Sequence, residues 1–432
     1  MKNKKVINIA IVGLGNIGLN FLKHLSKHKE SIKKKTNTNL LIKYVSAKNR
    51  NKKRNFIIPK KKWLKNYLDA SRLKDINIVV ELIGGSEGPA KKLVFNSLKN
   101  KKHVITANKA LISKYGNELS KLAEKNNVNL EYEAAVAGGI PIIKSIKEGL
   151  ITNKISKIYG ILNGTSNYIL SKMTNSKRDF QEVLIEAKKL GYAETNPSSD
   201  LNGEDVKSKI QILSSLAFNS FINGSNINVE GIKNIDQEDI KNANILGYKI
   251  KHLGIAEIKN NKIIQRVHPC FIKKKSYITN VDGVLNAVII EGNPIGKFIL
   301  QGEGAGSGPT TSALISDMCS VLRGNIKFPF SIPNKNRKKI STIDISKEMF
   351  SYYLRFDVLD QKGVLSSITK ILSKNNISVK RMIQNPLNKK QNASIVIISH
   401  KSKNQNLIKS LKELSNKPFM VKKPKFIRIE KI

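Results

Sequence analysis

Short apolar runs alternate with amphipathic stretches over residues 6–135. The apolar run at 6–12 is broken only by Asn8, and residues 17–25 carry apolar side chains at helical spacing. Four further strands are predicted at 40–46, 76–83, 103–106 and 128–132, and two further helices at 87–99 and 115–126. This alternation of strands and helices predicts an α/β domain with a doubly wound parallel sheet.

The pattern changes after residue 135. Longer helices are predicted at 166–174, 178–190 and 203–218, and strand-like runs follow at 262–272 and 284–291. We therefore predict a second, α+β domain over residues 136–304. Residues 326–349 are polar and basic and hold two prolines, which predicts a linker.

The last part of the chain begins a new pattern. A strand at 352–358 is followed by a helix at 364–373, strands at 377–384 and 393–399, a helix at 404–415 and a final strand. This βαββαβ order predicts a third domain over residues 350–432.

A glycine motif follows the first predicted strand, with Gly13, Gly15 and Gly18 at G-x-G-x-x-G spacing. Glycines here allow backbone N–H groups, including those of Asn16 and Ile17, to approach a pyrophosphate at the start of a helix. The context favours a Rossmann-type dinucleotide site over a plain structural turn. We expect this domain to span residues 1–135, completed by a helix at 305–325.

The end of the second strand bears on the choice of cofactor. A site for NAD usually has an acid there, about 20 residues past the glycines, to bind the ribose 2′-hydroxyl. This chain has no acid at that point but has Lys48 and Arg50, which could hold the 2′-phosphate of NADP. We predict NADP, with NAD as the alternative, because a basic pair is unsurprising in so lysine-rich a chain.

Acidic residues and one lysine gather between Gly191 and Lys209. Glu194 and Asp200 lie in a loop, and Asp205 and Lys209 are four residues apart on the next helix, at the border of its apolar stripe. Partial burial disfavours the lysine ammonium while Asp205 orients it, which suits a general acid or base. The alternative is an ordinary exposed ion pair.

Three more segments could contribute to a site. Lys109 follows a strand, at the edge where doubly wound sheets bind ligands, although it could equally be a solvated lysine. The turn at 133–141 could coordinate a cation through oxygen atoms or serve as a hinge. The loop at 302–310 could bring the backbone of Gly304 and Gly306 against the cofactor or cross between domains.

The net charge of +45 raises the alternative of a nucleic-acid binder. Lysines are spread over the whole chain and aromatic residues are sparse, so we favour compositional drift over a polyanion-binding surface. The two cysteines, Cys270 and Cys319, exclude a disulfide framework and suit the reducing cytoplasm. No apolar run reaches the roughly 20 residues that a membrane span requires.

These motifs, in this order, resemble the homoserine dehydrogenase family, and the segment from Tyr352 onwards resembles an ACT domain. The resemblance implies NAD(P)-dependent interconversion of L-homoserine and L-aspartate 4-semialdehyde in threonine, methionine and isoleucine biosynthesis. It assigns proton transfer to Lys209, with Lys109 as a second acid or base that also contacts the cofactor. It assigns substrate binding to Glu194, Asp200, Asp205 and Lys209, and a cofactor contact to Gly191.

The same resemblance implies a monovalent cation such as Na⁺, held by Glu133 and by the carbonyls of Val136, Gly138 and Ile140. It also implies an amino-acid effector such as threonine at the ACT domain, and a homodimer or homotetramer formed through the second domain. The chain departs from many relatives at Asn196, where they have an acid. The alternative from another class is a basic, ACT-containing, amino-acid-sensing protein that binds nucleic acid.

Overall fold

A computed structural model describes residues 6–387 and 392–432. Its first sheet is parallel throughout, in the strand order β2-β1-β3-β4-β5. The strands are β1 (Val6–Val12), β2 (Asn39–Ser46), β3 (Ile78–Glu81), β4 (His103–Thr106) and β5 (Leu130–Glu131). The helices beside it are α1 (Asn16–Lys27), α2 (Lys29–Thr36), α3 (Asp69–Arg72), α4 (Pro89–Lys99) and α5 (Lys109–Lys125). The predicted doubly wound sheet is confirmed.

The central strands are apolar because helices cover both faces of the sheet. Ile9, Ile11, Val79 and Val80 are completely buried. A helix from much later in the chain, α12 (Ser307–Leu322), returns to this domain. It packs in the same apolar core as α1, which couples the end of the catalytic region to the dinucleotide fold.

The second domain is built on a mixed sheet covered by long helices. Its strands are β6 (Lys154–Ile161), β7 (Asn228–Val229), β8 (Tyr248–Lys259), β9 (Lys262–Lys273), β10 (Leu285–Asn293) and β11 (Gly296–Glu303). Its helices are α6 (Ile142–Lys144), α7 (Gly164–Ser176), α8 (Phe180–Lys189), α9 (Ser198–Asn202), α10 (Glu204–Ala217) and α11 (Gln237–Ile245). The predicted helices and strands of this region are all found, and β6, β7, β8, β11, α6, α9 and α11 are additional.

The C-terminal region has the predicted βαββαβ order, with one added two-residue strand that pairs with β12. Its elements are β12 (Met349–Leu359), α13 (Val364–Lys374), β13 (Val379–Leu387), β14 (Asn392–Ser399), β15 (Ser402–Lys403), α14 (Asn404–Ser415) and β16 (Lys425–Ile429). Both helices lie on one face, over Tyr352, Leu354 and Phe356.

The C-terminal sheet is continuous with the sheet of the second domain. Strand β16 pairs antiparallel with β12 and parallel with β9, where Arg428 is opposite Cys270 and Ile429 is opposite Phe271. The other face of the C-terminal sheet packs on the helical cluster that contains α7, α8 and α11. The C-terminal domain is therefore fused to the catalytic sheet by backbone pairing.

The segment predicted as a linker is packed against the second domain. Arg337 is buried and donates hydrogen bonds to the Ser215 hydroxyl and the Ser220 carbonyl, both at 2.9 Å. Its guanidinium also lies over the rings of Phe221 and Phe330. Polar groups of the segment predicted as a linker therefore serve long-range contacts. Among the residues described, none of the helices has the length and apolar character for a membrane span.

Candidate active site

The glycine turn after β1 has the shape that a dinucleotide phosphate requires. A Cβ at Gly13 would lie 2.3 Å from the Leu82 carbonyl oxygen, and one at Gly18 would lie 1.9 Å from the Gly13 carbonyl oxygen, so both positions need glycine. Gly15 faces open space and precedes α1, whose first turn has no side-chain cap. The free N–H groups at Asn16 and beyond can therefore receive an anion.

The basic pair after β2 lies beside this turn. The Gly13 N–H donates to the Ser46 carbonyl at 2.9 Å, which ties the glycine turn to the end of β2. Lys48 and Arg50 follow immediately and are exposed. Their charges therefore stand at the edge of the glycine turn, where the adenosine ribose of a dinucleotide would lie.

One buried carboxylate joins two lysines at the centre of the site. Asp205, on α10, accepts from Lys209 Nζ at 2.8 Å through Oδ2 and from Lys109 Nζ at 2.9 Å through Oδ1. Lys209 is buried and also donates to the Leu162 carbonyl at 2.5 Å, whereas the Lys109 side chain is 41% exposed. Sequence spacing indicated the Asp205–Lys209 pair, and the fold adds Lys109 to it.

The electrostatics of this cluster follow from burial and the two ammonium groups. Burial alone would raise the pKa of Asp205, but Lys209 and Lys109 hold that pKa well below its usual range. Burial would lower the pKa of Lys109, but Asp205 outweighs it and raises that pKa. The pKa of Asp200 is raised by burial and by the nearby Asp205 charge. The pKa of Asp205 is therefore lowered while that of Asp200 is raised, and Asp205 is the acid that stays ionised.

Asn163, which the sequence interpretation missed, connects these acids. Its Nδ2 donates to Asp200 Oδ1 at 2.7 Å and to Asp205 Oδ2 at 2.9 Å, while its Oδ1 caps α7 by accepting from the Ser166 N–H at 2.8 Å. The signal was available, because Asn163 follows a buried strand and precedes Gly-Thr-Ser, a sequence typical of a helix start. The strand β6 is not among the predicted strands, so the position of Asn163 between a strand and a helix start is not predicted either.

A second buried network positions Lys109. Glu81, at the end of β3, accepts from the Ile83 and Gly84 N–H groups and, at 2.6 Å, from the Thr106 hydroxyl. The Thr106 hydroxyl oxygen in turn accepts from the N–H of Asn108, whose side chain caps α5. Lys109 is the first residue of that helix, so the ends of β3 and β4 fix its backbone.

The loop from Gly191 to Glu194 closes one side of the site. The Thr165 hydroxyl donates to the Tyr192 carbonyl at 2.5 Å, which anchors the loop to α7. Glu194 is exposed and makes no ion pair within the described residues, but its charge contributes to the raised pKa of Lys109. Gly191 has a left-handed φ of +74° after α8 and borders open space. The loop thus leaves an exposed carboxylate whose charge acts on Lys109.

Glu133 is already engaged by backbone donors. Its two carboxylate oxygens accept from the Ile143 and Lys144 N–H groups, each at 2.8 Å, and its pKa is raised to about 7 by burial. The Ile140 carbonyl accepts from the Ile142 N–H at 2.8 Å. The described residues contain no cluster of three or more His, Cys, Asp or Glu side chains that could hold a metal ion. A cation here would therefore depend chiefly on carbonyl oxygens, including those of Val136 and Gly138.

The loop after β11 packs tightly against the turn that contains Gly138. A Cβ at Gly138 would lie 2.6 Å from the Gly304 carbonyl oxygen, and one at Gly304 would lie 2.0 Å from Asn286, so Gly304 is required for this packing. Gly306 has a φ of +110° and precedes α12. The loop crosses between the domains, and of its two glycines only Gly306 has room for a ligand beside it.

Models of protein families match the chain in three places. The model described as "Homoserine dehydrogenase, NAD binding domain" matches residues 13–133, and the one described as "Homoserine dehydrogenase" matches residues 141–319. The model "ACT domain" matches residues 352–418. Together they account for the three regions of the fold in order.

Curated relatives and solved structures agree with these matches. The homoserine dehydrogenase of Neisseria gonorrhoeae is 38% identical over 434 residues, covering 99% of each chain, and that of Helicobacter pylori is 38% identical over 99% of this chain and 100% of its own. The crystal structure of a homoserine dehydrogenase from Thiobacillus denitrificans superposes with a TM-score of 0.91 at 36% identity, over 100% of this chain and 99% of the other.

Proposed function

The chain belongs to the homoserine dehydrogenase family, and from this premise we propose how its residues carry out the reaction. The enzyme interconverts L-homoserine and L-aspartate 4-semialdehyde, a step in amino-acid biosynthesis. The observation that carries the proposal is the Lys209–Asp205–Lys109 cluster. It places two proton donors on one carboxylate, at the carboxyl edge of the dinucleotide-binding sheet.

We assign Lys209 as the group that donates a proton to the alkoxide oxygen during reduction. An ammonium has three N–H bonds, and two of those on Lys209 point to Asp205 and to the Leu162 carbonyl. The third is left for the substrate oxygen, on a side chain that is buried and fixed in direction. When bound, the nicotinamide supplies the hydride to the carbonyl carbon in this direction.

Lys109 serves as the second acid or base in this proposal. It shares Asp205 with Lys209 but is half exposed, so it can exchange protons with solvent and contact the cofactor. Asp205 holds both lysines, and Asp200 and Glu194 offer carboxylates to the ammonium group of the substrate. Asp200, Glu194, Asp205 and Lys209 would thus bind the substrate from one side of the cleft.

The N-terminal domain binds a nicotinamide dinucleotide, and we propose NADP as the preferred form, with NAD as the alternative. The open face of Gly15 and the uncapped start of α1, at Asn16 and Ile17, fit a pyrophosphate. Lys48 and Arg50 supply positive charge where the 2′-phosphate would lie. Gly191 and Gly306 border the cleft that the nicotinamide end would occupy, and Gly304 supports that loop.

We also propose a monovalent cation site in the turn that follows Glu133. Main-chain carbonyls at Val136, Gly138 and Ile140 lie in a tight turn, where Ala137 and Gly138 have left-handed φ angles of +56° and +50°. They would hold a Na⁺ ion between the domains, where it would fix the turn without taking part in proton transfer. The Glu133 carboxylate would act mainly by holding α6 beside it.

The ACT domain suggests regulation by an amino acid, and we propose threonine as the effector to test first. We propose domain limits of 1–135, 136–304 and 350–432, with 326–349 connecting the last two. We also propose a homodimer or homotetramer, and a cytoplasmic location on the basis of the two free cysteines.

The experiment that tests the function follows NADPH oxidation with L-aspartate 4-semialdehyde, with and without threonine. Turnover that fails with both NADPH and NADH, combined with steeply salt-dependent DNA binding, would support the nucleic-acid alternative instead.

The NADP preference is tested by replacing Lys48 and Arg50 with alanine. We expect the KM for NADPH to rise more than that for NADH. Replacing Lys52 and Lys53 is the matched control, because it removes the same charge from the same turn.

A further inference from the structure

Two arginines flank one tryptophan at the cofactor edge of the first sheet. The guanidinium carbons of Arg50 and Arg54 each lie 5.4 Å from the centre of the Trp63 ring, within the range of a cation–π contact. Trp63 forms an isolated parallel bridge with Val45, and the Leu64 N–H donates to the Val45 carbonyl at 3.0 Å. The indole is therefore held beside the end of β2 by the sheet itself.

The two arginines differ in what their guanidinium groups bind. Arg54 donates to the carbonyls of Asn49, Arg50 and Lys52, at 2.7, 3.1 and 2.9 Å. These bonds close the turn after β2, and the Asn49 side chain reinforces the turn by accepting from the N–H groups two and three residues later. The Arg54 guanidinium is thus held by hydrogen bonds to backbone carbonyls.

Arg50 keeps most of its donors free. The one hydrogen bond that its guanidinium donates within the described residues goes to the Lys60 carbonyl at 3.4 Å, and the residue is exposed. An arginine side chain has several rotatable bonds, so an unsupported Arg50 would sample many directions. The Trp63 ring restricts the plane of its guanidinium while leaving N–H groups open to a ligand, and a fixed planar fork is what binds phosphate through two parallel bonds.

We propose that Trp63 is a positioning residue for cofactor specificity, acting through Arg50 on the adenosine 2′-phosphate, and that Arg54 fixes the turn that carries Arg50. This proposal rests on the proposed NADP preference and adds a residue that acts on the phosphate through Arg50. It also predicts that Trp63 contributes nothing to recognition of a dinucleotide that lacks the 2′-phosphate.

The test uses the full chain and calorimetric titration with two small probes, 2′,5′-ADP and 5′-AMP, which differ only in the 2′-phosphate. We expect Trp63→Leu to weaken 2′,5′-ADP by about three- to ten-fold and to leave 5′-AMP unchanged, in line with the usual strength of a cation–π contact. Trp63→Phe, which keeps an aromatic face, should lose less. In an Arg50→Ala background, Trp63→Leu should have no further effect, because the residue through which it acts is gone.

Equal weakening of both probes by Trp63→Leu would overturn the proposal and indicate that the indole stacks on adenine. A full effect of Trp63→Leu in the Arg50→Ala background would also overturn it. If Trp63→Leu does not fold, the same test can be made with Trp63→Phe. Its effect on 2′,5′-ADP affinity should then be present in the unmutated background and absent in the Arg50→Ala background. If the unmutated protein binds 2′,5′-ADP no better than 5′-AMP, the NADP preference itself fails, and that failure is visible before any variant is made.

Discussion

Arg428, on the last strand of the chain, donates from Nη1 to both carboxylate oxygens of Glu230 in the catalytic domain, at 2.7 and 2.8 Å. Two residues further on, Glu430 accepts from Arg266 Nε at 2.7 Å and from its Nη2 at 3.0 Å. His268 lies between the two pairs and contacts both Glu430 and Arg428. The seam between the ACT domain and the catalytic sheet is therefore a largely buried ionic cluster beneath two backbone-paired strands.

This seam predicts that the ACT domain cannot be removed without damage. Sequence alone favours a truncation after about residue 345 that keeps catalysis and loses regulation. The structure predicts instead that truncation removes the partners that Arg266, His268 and Glu230 have on β16 and exposes the edge of β9, so stability and soluble yield should fall together. Thermal melts and activity of the truncated chain check this. A truncated enzyme with an unchanged Tm and full turnover would contradict it.

Point variants test the seam more finely. Arg428→Met should lower the free energy of unfolding by about 3–5 kcal/mol, because it leaves a partly buried Glu230 carboxylate unpaired, and Glu230→Gln in the same chain should recover part of the loss. Lys422→Met is the matched control. Its ion pair with Asp357 is long, at 3.8 Å, and 72% exposed on the lysine side, so we expect less than about 1 kcal/mol. Denaturant unfolding of the unmutated chain, Arg428→Met, Glu230→Gln and the double variant measures the coupling, with Lys422→Met unfolded beside them.

A buried histidine beneath the same seam gives the stability a pH dependence. Burial lowers the pKa of His252 to about 4, and its Nε2–H donates to the Glu230 carbonyl at 2.9 Å. An unfolded histidine takes up its proton near pH 6.5, so between pH 6.5 and 4 the unfolded state binds more protons and stability falls as the pH falls. His268 adds to the trend, because burial lowers its pKa too.

His252→Gln isolates this contribution, because the glutamine amide can still donate to the Glu230 carbonyl. We expect the variant to lose a smaller part of its stability between pH 6.5 and 4, by up to about 3 kcal/mol. Urea unfolding at four pH values across this window checks it. Parallel curves for the two proteins would show that His252 titrates in the folded state much as it does in the unfolded state.

The sequence predicted most of what is locally encoded. Gly13, Gly15 and Gly18 needed only a strand before them and a helix after them, and Asp205 and Lys209 needed only helical spacing. The continuous sheet could not be predicted, because pairing of β16 with β9 joins residues more than 150 positions apart and leaves no periodic mark. The contacts of Lys109 and Asn163 with the acids of the site could not be predicted for the same reason. Their partners are distant in sequence, and the residues meet only through the fold.

The proton-donor role of Lys209 gives a direct test. Lys209→Met keeps the length of the side chain but removes the ammonium, and we expect kcat for semialdehyde reduction to fall by about 10²–10⁴-fold. Lys207→Met is the matched control on the same helix, because within the described part of the chain Lys207 pairs only with the exposed Glu204. Steady-state rates with NADPH measure both. A Lys209→Met enzyme that turns over within a few-fold of the unmutated one would move the role to Lys109.

Asn163 should matter through the two acids that it bridges. Hydrogen bonds to a charged group contribute about 1.5–3 kcal/mol, so Asn163→Ala should lower kcat/KM by about 10- to 100-fold. The Asn163 side chain acts to lower the pKa of Asp200, against burial and the Asp205 charge. Its loss should therefore raise that pKa further and shift the acid limb of the kcat/KM profile to higher pH.

Asn163→Ser separates this effect from the capping of α7, because serine can still accept from the Ser166 N–H but cannot reach both acids. We expect the serine variant to retain most of the stability and to show the same shift, whereas an acid limb that stays in place in both variants would mean that Asp200 need not be ionised for catalysis.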